Sequence, residues 1–436
     1  MPLDTSRLGR RGFLVGATGA AAMTLAACGN NSSGTTADGK VEITFASYSL
    51  SGKGAVAKGT QKLIDDFMAK NPNIVVKGRA IPNAEILTKT RTDIASGDSP
   101  QVVQMGYSKV MEALTTLPVA SIEKVAGAEW TDAVKGLTPG PLNTGIHEGS
   151  NHAVPFTLST PTMFYNATLL SKVGVNPDKA PQNIEELRAA TQKLVAAGHQ
   201  GAFFGVVGED KSDFTIQSVL NSTGGGFLDA QGNVSVDSPE SQKGFEVLQK
   251  LVSDGLMPAL QTQEAQAPFI SGDMGFFIST TAYSTALAKG AKDAGWQLRS
   301  AAFPQLVADH APAPTHSGAA LMMLKGTEAQ QQAAWQFIKY LTSREAYLTI
   351  VQQMGYLPLY ADMVDKELAD YFAKDPLLMP AIEQLDTVAA YQFFPGKTSN
   401  QSTRMFIDEA VEPIVLRNAN IAETTAKIAT KLKAAG

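Results

Sequence analysis

The sequence has one cysteine, Cys28, among its 436 residues. No disulfide can close within the chain, Cys-x-x-Cys metal sites and cysteine catalysis are excluded, and stability has to come from packing. Histidine is almost as scarce, with five residues at 147, 152, 199, 310 and 316 and no metal-ligand spacing. After the N-terminal region no run reaches 18 consecutive apolar residues, so no later segment reads as a membrane span. Basic runs are missing, and 41 acidic side chains outnumber 36 basic ones, which argues against nucleic acid as a partner. H-E-x-x-H, G-x-S-x-G, the P-loop and a G-x-G-x-x-G after a strand pattern are all absent. The expectation is a chain that is no enzyme and carries no metal or cofactor.

What is present begins with an address. Arg7, Arg10 and Arg11 precede a weakly apolar, Gly- and Ala-rich run from Phe13 to Ala27, the layout of an export signal. Arg10-Arg11-Gly12-Phe13-Leu14 resembles a twin-arginine signal, although Gly9 and Val15 depart from the usual flanks and a Sec route stays open. Leu25-Ala26-Ala27-Cys28 resembles a bacterial lipobox, which assigns residues 1–27 to the signal and Cys28 to a lipid anchor on the outer face of the cell membrane. Cleavage there leaves 409 residues with 33 basic and 40 acidic side chains, enough for two or three domains. With 44% hydrophobic and 18% charged residues, the body is ordinary globular protein. "GNNSSGTTADGK" (29–40) has almost nothing to bury, so residues 28–40 read as anchor and flexible tether.

From Val41 the pattern alternates between periods of two and of 3.6. Val41, Ile43 and Phe45 mark a strand; Val56, Leu63, Ile64, Phe67 and Met68 mark a helix that stops at Asn71-Pro72. "IVVKGRAI" (74–81) is a second strand. Asn83 is placed to cap a helix through Ile86, Leu87 and Ile94, and "QVVQM" (101–105) is a third strand. This β-α-β-α-β order predicts a parallel α/β sheet covered by helices, with ligands beyond the carboxyl ends of its strands. Further on, Asn183 with Glu186 and Thr327 with Gln330 form capping boxes, and Ser238-Pro239 opens a helix closed by Gly255. Asp229-Ala-Gln-Gly-Asn233 reads as a hairpin turn, its spacing being wrong for a calcium loop.

At the predicted strand ends and loops lie Tyr48, Tyr107, Ser159, Thr160, Thr280, Thr281, Tyr283 and Tyr356. Tyrosine faces pack on sugar C–H faces while hydroxyls pair with ligand hydroxyls, so the set suits binding more than chemistry.

"HAVPFTLSTPTMFYNATLL" (152–170), "FISGDMGFFISTTA" (269–282), "SGAALMML" (317–324) and "AAWQFIKYLTSREAYLTIVQQMGYLP" (333–358) together resemble the bacterial extracellular solute-binding proteins of the sugar and glycerol-phosphate group. The resemblance runs from about 41 to 436. It implies an α/β, two-lobed periplasmic-binding-protein fold of the type II, hinge-bending kind, each lobe a sheet flanked by helices. Lobe one is expected at 41–157 plus 300–345 and lobe two at 158–299 plus 346–436. It also implies a monomeric receptor of an ABC importer that captures a sugar or glycerol-phosphate-type solute between its lobes and works with permease and ATPase subunits. The subgroup resembled is that of glycerol-3-phosphate and glycerophosphodiester binders, whose ligand contacts fall on Ser159, Gly318, Tyr356 and Arg404; Tyr48, Tyr107 and Thr281 complete the expected site. Arg404 offers a guanidinium fork for phosphate, or else pairs with Asp408 four residues on. Two departures weigh against phosphate. Tyr107 stands where the subgroup has an acid, and "GVVGEDKSDFT" (205–215) carries Phe214 in place of a tryptophan. Two other readings stay open: a lipid-anchored glycan or phosphodiester hydrolase drawing on Glu85, Glu209, Asp210 or Asp213, and a surface sensor or adhesin.

Cys28→Ala is expected to give a folded protein that no longer partitions with membranes; retention of that variant in the membrane fraction would remove the anchor assignment.

Overall fold

A computed structural model describes residues 34–436 apart from 37 and 210. The export signal, Cys28 and Asp210 lie outside the described residues. Twelve strands are described: β1 (Val41–Ser47), β2 (Ile74–Ala80), β3 (Val102–Gly106), β4 (Val119–Ala120), β5 (Ile146–His147), β6 (Ser150–Asn151), β7 (Ala153–Ser159), β8 (Pro161–Asn166), β9 (Gln200–Phe204), β10 (Met274–Thr280), β11 (Leu298–Ala301) and β12 (Ser317–Leu324). The first sheet runs β2-β1-β3-β12-β4, with β7 also on β12. β1 is parallel to β2 and β3, as the β-α-β-α-β pattern requires, and β12 enters antiparallel. The second sheet runs β11-β8-β10-β9.

Each sheet has two apolar faces because its strands alternate about a pleat. In β1, Ile43 and Phe45 enter one core while Ala46 enters another. The helix Glu328–Leu341 shows how the outer layer is built. Thr327 and Gln330 close its first turn as a reciprocal capping box, and Ala334, Phe337, Ile338 and Leu341 form a buried stripe at helical spacing. Phe337 meets Phe45 edge-on with ring centres 5.3 Å apart. Full burial of one such ring contributes roughly 1.5–3 kcal/mol. The second sheet repeats the scheme: Tyr165, Phe204, Phe276 and Ile278 face one core, Phe164, Phe203 and Phe277 the other.

Three local expectations differ from what forms. Asn83 does not cap the helix Ile86–Ala95, whose N-cap residue is Glu85 without a side-chain bond; its amide oxygen faces Lys109 Nζ at 3.4 Å instead. Asn183 does accept from the Glu186 N–H, but the Glu186 carboxylate accepts from Gln182 N–H, one residue before the cap. The third difference is the lobe boundary. Residues 346–381 were expected with the second lobe, yet Ala346, Tyr347, Ile350, Leu359, Phe372 and Ala381 pack in the core of the first sheet. The Tyr347 hydroxyl donates to the Phe156 carbonyl of β7 at 2.6 Å, and Leu357 N–H donates to the Leu158 carbonyl at 2.8 Å. Conversely Ala301, Phe303 and Leu306 pack with the second sheet. An apolar helix face specifies burial, not which of two cores buries it.

The chain passes between the sheets at Thr160, at 302–316 and at 382–393. β7 runs into β8 through the single residue Thr160, so the carboxyl end of the first sheet and the Pro161/Thr280 end of the second meet there. Gly318, second in β12, sits beside a register shift with φ +121°, and a Cβ there would stand 2.0 Å from the Thr157 carbonyl oxygen. Only glycine fits. Gly318→Ala should therefore lower stability by at least about 1–3 kcal/mol, read as a lower urea midpoint at unchanged m-value; an unchanged midpoint would contradict the close approach.

Candidate functional site

The junction between the sheets is built from strand ends. After β1 the chain turns through Ser47, Tyr48 and Ser49, and the buried Gln104 of β3 holds that turn: its amide donates to Ser49 Oγ at 2.8 Å and accepts from Ser49 N–H at 3.2 Å. The Tyr48 hydroxyl reaches the Gly318 carbonyl at 3.4 Å. Tyr356 lies against the same turn, beside Ser49 and Thr157, with burial raising its hydroxyl to a pKa of about 12. Ser159 and Ser317 are paired across β7 and β12. Tyr107 opens the helix Tyr107–Thr116, and its ring stands edge-on to His316 with centres 5.0 Å apart. Thr281 follows β10, its N–H donating to the Thr160 carbonyl at 3.3 Å. Six of the seven expected ligand contacts are thus gathered on this junction.

Arg404 is elsewhere. It lines a recess of about 420 Å³ with Glu85, Thr88, Arg91, Glu112 and Gln401, on the flank of the helix Tyr107–Thr116. The alternative pairing with Asp408 does not form: Asp408 receives Lys211 at 2.7 Å, and Arg404 makes no ion pair among the described residues.

The second lobe contributes groups that sequence reasoning undervalued. Asp213 is buried, and desolvation raises its pKa against the pull of the Tyr391 hydroxyl, of Gln217 Nε2 at 3.0 Å and of the Lys109 charge from the first lobe. Lys109 is itself 2% exposed. Phe214 and Tyr391 pack into the first-lobe cluster that holds Tyr107 and Met105. No sequence signal marks Lys109 or Tyr391, because each gains its role from a segment more than 100 residues away. His316 stands two residues before Gly318, the one sequence signal that could have found it.

Among the described residues, buried polar atoms without a hydrogen-bond partner at this junction include the Tyr107 hydroxyl, Thr281 Oγ1 and His316 Nε2. An orphaned buried polar group costs about 1–3 kcal/mol, so each marks a place where a partner belongs. His316 also lines a cavity of about 540 Å³, shared by Met111, Pro141 and Leu158 of the first lobe and by Leu385, Tyr391 and Phe393 of the third crossing. That volume suits a small organic ligand. A larger recess of about 910 Å³ runs along the edge strand β11, with Trp296, Arg299 and Glu383 in its wall. It contains none of the expected ligand contacts and none of the orphaned atoms. The other two tryptophans, Trp130 and Trp335, are in the first-lobe core. Of the carboxylates weighed for hydrolysis, Glu85 lines the Arg404 recess, Glu209 is exposed and Asp213 is committed to Tyr391 and Gln217. Among the described residues no group of three or more His, Cys, Asp or Glu could hold a metal ion, and no helix is long and apolar enough to cross a membrane. Asp229 Oδ1 accepts from Gln231 and Asn233 N–H, each at 2.9 Å, which makes the turn.

Burial pushes the His316 imidazole from 6.5 down to about 4. The folded protein keeps it neutral while the unfolded chain protonates it below about 6.5, so this contribution is full above that pH and is lost as pH falls to about 4. The loss is on the order of 3 kcal/mol. In His316→Gln that part of the acid limb should vanish from urea midpoints measured between pH 4 and 8; parallel limbs in both proteins would refute the buried neutral imidazole.

Comparison with known proteins places this geometry. A family model described as bacterial extracellular solute-binding protein matches residues 62–381. The sn-glycerol-3-phosphate-binding periplasmic protein UgpB of Shigella dysenteriae is 25% identical over 391 residues, spanning 85% of this chain and 88% of that protein. Among solved structures, UgpB from Mycobacterium tuberculosis in complex with glycerophosphocholine superposes with a TM-score of 0.78 at 23% identity, covering 91% of this chain and 98% of the other. The cyclic alpha-maltosyl-1,6-maltose binding protein from Arthrobacter globiformis gives 0.76 at 21%, covering 91% and 99%. At these identities the structures establish the fold, a mixed α/β binding-protein fold with sheets flanked by helices.

Proposed function

The chain belongs to the bacterial extracellular solute-binding proteins, and from that membership we propose that it is the capture subunit of an ABC importer for a neutral carbohydrate, tethered to the outer face of the membrane through Cys28. The observation that carries the ligand class is the balance of groups at the lobe junction. Its orphaned atoms include two hydroxyls and a neutral imidazole, which pair with sugar hydroxyls, and Tyr107, Tyr391 and Tyr356 supply ring faces. The cation at the junction, Lys109, stands in the field of the buried Asp213 carboxylate. A phosphate brought there would meet that carboxylate as well as the lysine.

Capture follows from two lobes joined by three crossings. A solute touching both lobes favours the closed arrangement by its differential affinity, and the membrane subunits read closure. The chemistry asked of the protein is recognition, so the reading is of a binder and not an enzyme. A second reading, glycerol phosphate or a glycerophosphodiester, draws on the name of the Shigella relative and on Arg404.

A thermal-shift panel of mono-, di- and oligosaccharides, glycerol-3-phosphate and glycerophosphocholine separates the readings. A carbohydrate at 100 times its Kd should add about 2.7 kcal/mol to the native state, and Arg404→Ala should leave its affinity within about twofold, since a half-buried cation outside the site makes no contact with the solute. Stabilisation by the phosphate ligands alone, with Arg404→Ala weakening them about ten- to a hundredfold, would overturn the carbohydrate reading in favour of the second. Turnover of any panel member would overturn both.

A further inference from the structure

Glu112 lies in the middle of the helix Tyr107–Thr116, at 2% exposure. One carboxylate oxygen accepts from Arg91 Nη2 at 2.8 Å, within the first lobe. The other accepts from the backbone N–H groups of Asn400 at 2.8 Å and Gln401 at 3.3 Å. These two donors open the helix Ser399–Phe406, whose own N-cap residue, Thr398, provides no side-chain bond. That helix is anchored in the second lobe. Phe406 is fully buried there, its ring 5.0 Å from Phe227 and 5.7 Å from Phe394. A carboxylate of one lobe therefore caps a helix of the other.

We propose that Glu112 is a closure latch, a positioning residue that raises ligand affinity by holding the two lobes together without contacting the ligand. The first turn of a helix leaves N–H groups that need acceptors, and a negative charge there also meets the positive end of the helix dipole. Both terms exist only while the lobes are apposed. Hinge opening moves Asn400 and Gln401 away with Phe406 and leaves Glu112 to Arg91 and water. The latch thus enlarges the closed fraction before any solute arrives, and apparent affinity scales with that fraction. The proposal rests on the hinge-bending reading but not on what the solute is.

Small-angle scattering and calorimetric titration on the full mature chain test it, with Glu112→Ala, Glu112→Gln and Arg91→Ala compared to the wild type. Glu112→Ala should increase the radius of gyration of the unliganded protein and weaken the best ligand of the panel about three- to tenfold, the worth of one helix cap. Glu112→Gln keeps an oxygen for the two N–H groups and should fall between Ala and wild type. Arg91→Ala removes only the partner within the first lobe and should leave the unliganded radius unchanged. A role confined to stability would lower the melting temperature and leave radius and affinity alone; that result in folded Glu112→Ala, or in Glu112→Gln and wild type alike should Ala not fold, overturns the latch. The unliganded scattering needs no ligand, so it decides the latch even if no carbohydrate binds.

Discussion

Gln384 ties the three passages between the sheets to one another, and the rest of the molecule hangs from that knot. Its amide donates to the Pro161 carbonyl at 2.9 Å and to Thr160 Oγ1 in the first passage, and accepts from Phe303 N–H at 2.9 Å in the second, while Gln384 itself opens the third. The second and third passages are joined again where Ala389 N–H donates to the Pro314 carbonyl at 2.8 Å. A buried side-chain amide has four bonding positions to satisfy, and here three of them are spent on fixing the relative height of two sheets. The strand ends on either side can then be specified by short-range geometry. Ser159 meets Ser317, Thr281 meets Thr160, and the Tyr48 turn meets Gly318.

Away from that knot the lobes are separate bodies in energetic terms. The first has its cores on the two faces of β1, β3 and β12, the second on the two faces of β8, β9 and β10. Few apolar groups are shared; Phe214 and Tyr391, both set in second-lobe or crossing segments, are buried among first-lobe residues, and the partly buried Ala282, Leu385 and Phe393 pack against the same cores. Most of the hydrophobic stabilisation is consequently indifferent to the angle between lobes. Polar contacts that cross between the lobes include Glu112 with Asn400 and Gln401, Ser284 Oγ with the Gly355 carbonyl at 3.4 Å, and Lys109 with Asp213. Contacts of that size can be outweighed by one bound solute, as a switch requires.

The same division explains what could be read in the sequence. The strands at 41–47, 74–80 and 102–106, the capping box at Thr327 and Gln330 and the Ser238-Pro239 helix start depend on residues within one or two turns of each other, and local chemistry suffices to place them. Tyr48, Tyr107, Ser159, Thr281 and Tyr356 could be grouped because they fall at predicted strand ends and loops of an α/β pattern, and Gly318 joined them through the resemblance to the solute-binding family. Membership of residues 346–381 could not be read, since the apolar stripe through Tyr347 and Ile350 fits either core. Nor could Lys109, Gln384 or Glu112: each looks like an ordinary surface residue until a segment between roughly 80 and 290 positions away in sequence arrives beside it. The pairing of Arg404 with Asp408 failed for a related reason. Its spacing to Asp408 is right for a helical ion pair, but Lys211 approaches from the second-lobe loop and takes Asp408 first.

That loss of Asp408 shapes the electrostatics around Arg404. Its recess holds Glu85 and Glu112 as well as Arg91, and the Glu112 carboxylate already fills the helix terminus where a phosphate would otherwise find backbone donors. At the junction the pattern is different in kind: Asp213 is pushed toward its neutral form by burial, His316 is kept neutral by burial, and the Tyr107 hydroxyl is held far above its ordinary pKa by the same cause. Desolvation acts on all three in one direction, against charge. A site that suppresses ionisation in its own side chains penalises a charged ligand by the same physics, and rewards one whose polar groups are neutral, numerous and able both to donate and to accept.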